Sequence, residues 1–124
     1  MLKSKLLSPS QRLNDCEAQD SAHVTVGNVG DHVKRIQQAL IRIDNADIAE
    51  TELTNATFGE RTAAAVLDYK QRRNIINRSY QRTADNIVGK MTIKSIDDEM
   101  LPLEQRMSDD FFGSGLRPLR GRRT

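Results

Sequence analysis

The sequence predicts an all-α fold: a small three-helix bundle with an irregular N-terminal arm and a C-terminal tail. Three stretches carry apolar residues at helical spacing, and Gly, Asn and Asp punctuate their ends. No alternating apolar–polar run is long enough to read as a strand.

The first helix is predicted over residues 31–43, where Val33, Ile36, Leu40 and Ile43 step along one face. Gly27, Asn28 and Gly30 precede it as turn residues, Asp31 suits the N-cap or first turn, and Asp44-Asn45 is a plausible stop. The second is predicted over 59–73, with Ala65, Val66 and Tyr69 on one face and Thr62 one turn earlier. An alanine run supplies helix propensity, and Arg61, Lys70, Arg72 and Arg73 are free to occupy the wet face. The third is predicted over 90–100, where Ile93, Ile96 and Met100 repeat the spacing and Pro102 is the expected terminator. Asp97, Asp98 and Glu99 fall in its later turns, where the helix dipole disfavours acids, so they are expected to face solvent or pair with nearby Arg.

Loops are expected at about 44–58, with a short helical turn near Asp47–Leu53, and at about 74–88. The body is thus residues 26–100, flanked by an arm at 1–25 and an Arg-rich tail at 101–124. Phe111 and Phe112 in that tail form an apolar pair that should dock on something. A weak internal repeat is also present. Phe58-Gly-x-x-Thr62 and Val88-Gly-x-x-Thr92 each open a helix, with an apolar staple, a tight glycine turn and a threonine in the first turn.

Composition narrows the function classes. With 37% hydrophobic residues, 4% aromatic residues and no Trp, 124 residues supply one modest aliphatic core. Residues 1–100 carry 14 Lys and Arg against 14 Asp and Glu, so the body is neutral. The excess lies in Arg117, Arg120, Arg122 and Arg123. A neutral body argues against a nucleic-acid binder, because affinity for DNA comes largely from neutralising phosphates. A sparse Arg cluster broken by Pro118 and Gly121 reads most simply as a solubilising end. There is no signal-peptide-like apolar run and none of membrane-spanning length, which predicts synthesis in the cytoplasm without a secretory signal.

No catalytic residue, metal site or cofactor is expected. Cys16 lacks a partner for a disulfide or a zinc site and reads as a small, half-buried residue; His23 and His32 lack ligand spacing, and His32 reads as a solvated or capping group. Glycan cleavage needs two carboxylates converging at about 5 to 10 Å, whereas the consecutive acids 97–99 splay around a helix.

Together the segments Gly30-Asp-x-Val-x-x-Ile-Gln-x-x-Leu40, Phe58-Gly-x-x-Thr-x-x-Ala-Val66 with Tyr69, and Val88-Gly-x-x-Thr-x-x-x-Ile96 resemble the peptidoglycan-binding domain of bacterial wall hydrolases. The resemblance spans about residues 26–100 and implies a compact three-helix domain with a paired half-repeat that anchors a partner to the cell wall without cutting it. The chain departs from the family pattern at Tyr69-Lys70, where an aromatic followed by Gln is usual, at Asn55-Ala-Thr, which replaces an Asp-Gly turn, and in its longer, polar second loop. The expected ligand is peptidoglycan or a muropeptide. The expected contacts are Arg73, Asn77, Tyr80, Asp85 and Asn86, which pair an aromatic face for sugar stacking with groups for amides and carboxylates. A wall module without an export signal fits an accessory subunit of a contractile injection or phage-tail-like machine, with the arm or tail holding a protein partner. The alternative is a structural adaptor using the same scaffold for protein contact alone.

Overall fold

The computed structural model of the chain describes residues 1–75 and 85–116, with side chains described up to residue 106 except that of residue 20. The described chain is mainly helical, as predicted. Five α-helices follow in order: α1 (Gln11–Ala18), α2 (Asp31–Asp44), α3 (Glu50–Asn55), α4 (Glu60–Arg73) and α5 (Lys90–Leu116). The β structure among these residues is limited to two isolated antiparallel bridges, Val24 with Val88 and Val29 with Thr57.

Helix α2 begins behind Gly30, whose φ of 140° favours glycine, and stops at Asn45 in the left-handed region. It buries Val33, Ile36, Ala39 and Leu40 fully. Against it packs α4, which contributes Val66 and Tyr69 and ends at another left-handed asparagine, Asn74. Ile93, Ile96 and Met100 of α5 close the core, and Phe58 and Val88 are buried just before α4 and α5 as the staples of the repeat. Burying each of these large side chains contributes about 1.5–3 kcal/mol. The short turn expected near residue 50 is α3, ending at Ala56 with a φ of 51°.

Four local expectations are corrected. Residues 1–25 are not an irregular arm: Leu2, Leu7, Leu13 and Cys16 are buried in the same core, and α1 packs on α5. Ser10 caps α1, its hydroxyl accepting from Leu13 N at 3.2 Å. Cys16, expected half-buried, is fully buried. Burial pushes its thiol up to about 11, and Sγ donates to Val88 O at 3.4 Å.

Pro102 does not end α5, which runs on to Leu116. The proline and Asp98, the residue whose carbonyl it leaves unpaired, are both exposed, so water can satisfy that oxygen. Beyond it Leu103 packs on the core, and Glu104 accepts Lys5 N at 2.7 Å and Leu6 N at 2.9 Å. Asp97, expected to face solvent or pair with Arg, is buried and takes Lys3 N at 2.9 Å and Ser4 N at 2.7 Å. Two carboxylates of α5 thus strap the N-terminal segment down by its backbone amides. The Arg-rich end at 117–124 lies outside the described residues, as do the side chains of Phe111 and Phe112.

Candidate functional site

The segment singled out by the sequence leaves the end of α4, and its first predicted contact is Arg73. The guanidinium is clamped between two acids from other helices. Its Nη groups donate to both oxygens of Asp44, at 2.8 and 3.1 Å, and Nη2 reaches Glu99 Oε1 at 2.8 Å while Nε bonds Glu99 Oε2. The same group lies 3.7 Å above the Tyr69 ring. The Tyr69 hydroxyl donates to Glu99 Oε2 at 2.7 Å and lies 2.8 Å from Ser95 Oγ. The Arg73 hydrogen bonds hold the Glu99 carboxyl below its usual range, and burial pushes the Tyr69 phenol well above its own. Arg73 therefore ties α4 to α2 and α5. The wet face expected for it is wrong, because Asp44 and Glu99 compensate its charge at partial burial.

Lys70, also expected on the wet face, is 6% exposed. Its ammonium donates to Asp85 Oδ1 at 2.5 Å and Ile87 O at 2.8 Å, and Asp85 Oδ1 also accepts Ile87 N at 3.1 Å. Asp85 is thereby engaged in fixing the approach to α5. Asn86 beside it is half-buried. Asn77 and Tyr80 lie outside the described residues, as do Arg78, Gln81 and Arg82. The structure thus sets Arg73 and Asp85 at the two ends of the chosen segment, on different partners around the last turn of α4. Asp44, Lys70, Ser95 and Glu99 were not among the expected site residues. Lys70 and Glu99 carry one sequence signal, their place in the last turns of predicted helices, and Asp44 is the predicted stop of its helix, whereas Ser95 carries none.

A second polar centre lies at the start of α4. Glu52, from α3, places its carboxylate on the helix N-terminus: Oε1 accepts Gly59 N at 3.1 Å, Thr62 N at 2.9 Å and Thr62 Oγ1 at 2.8 Å, and Oε2 accepts Arg61 N at 3.0 Å. Burial opposes its charge, but these hydrogen bonds outweigh it and hold the carboxyl below its usual range. The repeat's glycine now has a reason. A Cβ on Gly59 would stand 2.7 Å from the Glu52 carboxylate carbon. Behind Thr62, fully buried Gln37 donates from Nε2 to Thr62 Oγ1 and Thr57 O, both at 3.0 Å. The segment 24–30 joins both half-repeats: Phe58 N donates to Asn28 O at 2.9 Å, and Val88 N to Val24 O at 2.8 Å.

The chain is similar to a secretion spike protein. Over 105 residues it is 31% identical to the type VI secretion system spike protein VgrG3 of Vibrio cholerae serotype O1 (strain ATCC 39315 / El Tor Inaba N16961), a match covering 82% of this chain and 10% of VgrG3. The chain thus spans about a tenth of the length of that relative. No family model matches it, and no solved structure does. Among the described residues no helix is long and apolar enough to cross a membrane.

Proposed function

We propose that this chain is a non-catalytic peptidoglycan-binding module that works as part of, or alongside, a contractile secretion machine. The observation that carries the reading is the similarity to the VgrG3 spike over 82% of the chain. That relative is a spike protein of a type VI secretion system, which fits a wall-directed domain carried by an injection apparatus. The bundle supports the wall half of the reading, because the segments resembling the peptidoglycan-binding family form its helices α2, α4 and the first part of α5. A binding role is further supported by the tasks of the carboxylates: Asp97 and Glu104 hold backbone amides, Asp44 and Glu99 hold Arg73, and Glu52 caps α4.

The test is a pull-down on purified sacculi, comparing the full chain with a version ending at Arg106 and assaying the supernatant for released muropeptides. Retention of both without release is the expected result. Loss of retention in both sends the chain to the adaptor role, and release that depends on an Asp or Glu makes it an enzyme.

A further inference from the structure

The two half-repeats are built alike where their helices begin, yet only one of them is filled. Ala63 N donates to Gly59 O at 2.9 Å and Ile93 N to Gly89 O at 2.9 Å, so Gly59 and Gly89 hold the same position at the mouths of α4 and α5. At α4 the Glu52 carboxylate takes the amides of Gly59, Arg61 and Thr62 and the Thr62 hydroxyl. At α5 the corresponding groups are the amides of Gly89, Met91 and Thr92 and the Thr92 hydroxyl. No residue among those described accepts from them. The space confirms the difference: a Cβ on Gly59 would strike the carboxylate, whereas one on Gly89 meets nothing within 4 Å among the described residues.

Two further features point to an anion. Thr92 is only 2% exposed, yet its hydroxyl has no partner among the described residues. Because Gln37 Oε1 is the one unpaired side-chain atom sealed from solvent among them, the hydroxyl of Thr92 is reachable from outside. Thr92 holds in its half-repeat the position that Thr62 holds in the other, where the Thr62 hydroxyl meets a carboxylate. The charges around α5 also run against its dipole. Its first turn holds no acid and exposed Lys94 follows in the next turn, whereas α4 has Glu60 in its first turn. A bound anion offsets that arrangement, and helix N-termini accept anions through their free amides.

We infer that the mouth of α5, formed by the amides of Gly89, Met91 and Thr92 and the Thr92 hydroxyl, seats the free terminal carboxylate of a short peptide, that of a wall peptide stem. The chemistry follows from the twin site, which the chain fills with a carboxylate of its own, and the choice of a stem rests on the wall-binding reading above. Glu52 shows the geometry to be reproduced: one oxygen shared by two amides and a hydroxyl, the other on the remaining amide. Exposed Met91 adds an apolar surface beside the seat.

The experiment titrates the full 15N-labelled chain with N-acetyl-D-alanyl-D-alanine, its C-terminal amide, and N-acetyl-L-alanyl-L-alanine, following the backbone amides by NMR. Gly89, Met91 and Thr92 should shift with the D-dipeptide acid, while Gly59, Arg61 and Thr62 stay in place under Glu52. The amide form should bind roughly tenfold to a hundredfold more weakly, since hydrogen bonds to a charged acceptor are lost. Gly89→Ala should remove the response with the spectrum otherwise folded, and Thr92→Val should weaken it. No shift at these three amides, or equal shifts with acid and amide, overturns the seat. An equal response to the L-dipeptide overturns the stem assignment and gives the seat to a protein C-terminus. Sacculus binding without these shifts sinks the seat alone. Shifts without sacculus binding sink the wall reading and, with it, the choice of a stem.

Discussion

Glu52 and Gly59 are matched: the carboxylate carbon stands 2.7 Å from where any other residue's Cβ would be, and the start of α4 depends on both. Gly59→Ala pushes the carboxylate off three amides and one hydroxyl, so it should destabilise the fold by about 1–2 kcal/mol, the scale of a lost helix cap. Gly89→Ala, with open space above it, should cost markedly less. Equal midpoints for both variants in urea denaturation would show that the close approach carries no energy. Arg73 and Glu99 make a second residue-scale case. The Glu99 carboxyl is held below its ordinary value of 4.5 by the Arg73 hydrogen bonds. Its contribution is therefore fully present above that ordinary value and is lost as the pH falls through the depressed one. The melting temperature should fall as the pH drops below 4.5, and Glu99→Gln should flatten that part of the profile. An unchanged profile in the variant would assign the acid sensitivity to other carboxylates. In the core, Ile36→Ala and Val66→Ala should each cost about 1–4 kcal/mol through lost contacts and a residual cavity, since both side chains are fully buried. An unshifted denaturation midpoint at either position would contradict its place in the core.

At the scale of elements, the three helices with clear amphipathic spacing were legible to within about a residue at their N-termini. Asp31, Glu60 and Lys90 open them, each behind a glycine. The reason is local: apolar spacing and turn residues act within a few positions of the chain. Helix α1 and the strap at residues 2–7 were not legible, because what holds them is remote. Leu2, Leu7, Leu13 and Cys16 share no single helical face, and Asp97 and Glu104, which bind the strap's amides, lie more than 90 residues away. The continuation of α5 past Pro102 has the same origin, since contacts at Leu103 and Glu104 override a local rule. Pro102→Ala should then restore an amide for the Asp98 carbonyl and raise stability by about 1–3 kcal/mol. A neutral effect in thermal denaturation would mean that the helix gains nothing from continuing through that position.

At the scale of the whole molecule, four helices and an N-terminal strap enclose one core, and both helix mouths of the repeat open beside the shared segment 24–30. The scaffold was legible because the resembling segments are mostly core and cap residues. The site was less so: Arg73 and Asp85 read as free polar groups until Asp44, Glu99 and Lys70 were brought to them by folding. The function proposed for this body is anchoring to the wall, alongside a secretion machine. The measurement that bears on it most directly is co-sedimentation of the full chain with purified sacculi over a range of concentrations, with chitin as a glycan that carries no peptide stems. Saturable retention on sacculi, absent on chitin and unaccompanied by muropeptide release, is the predicted result. Retention on sacculi no greater than on chitin would contradict it.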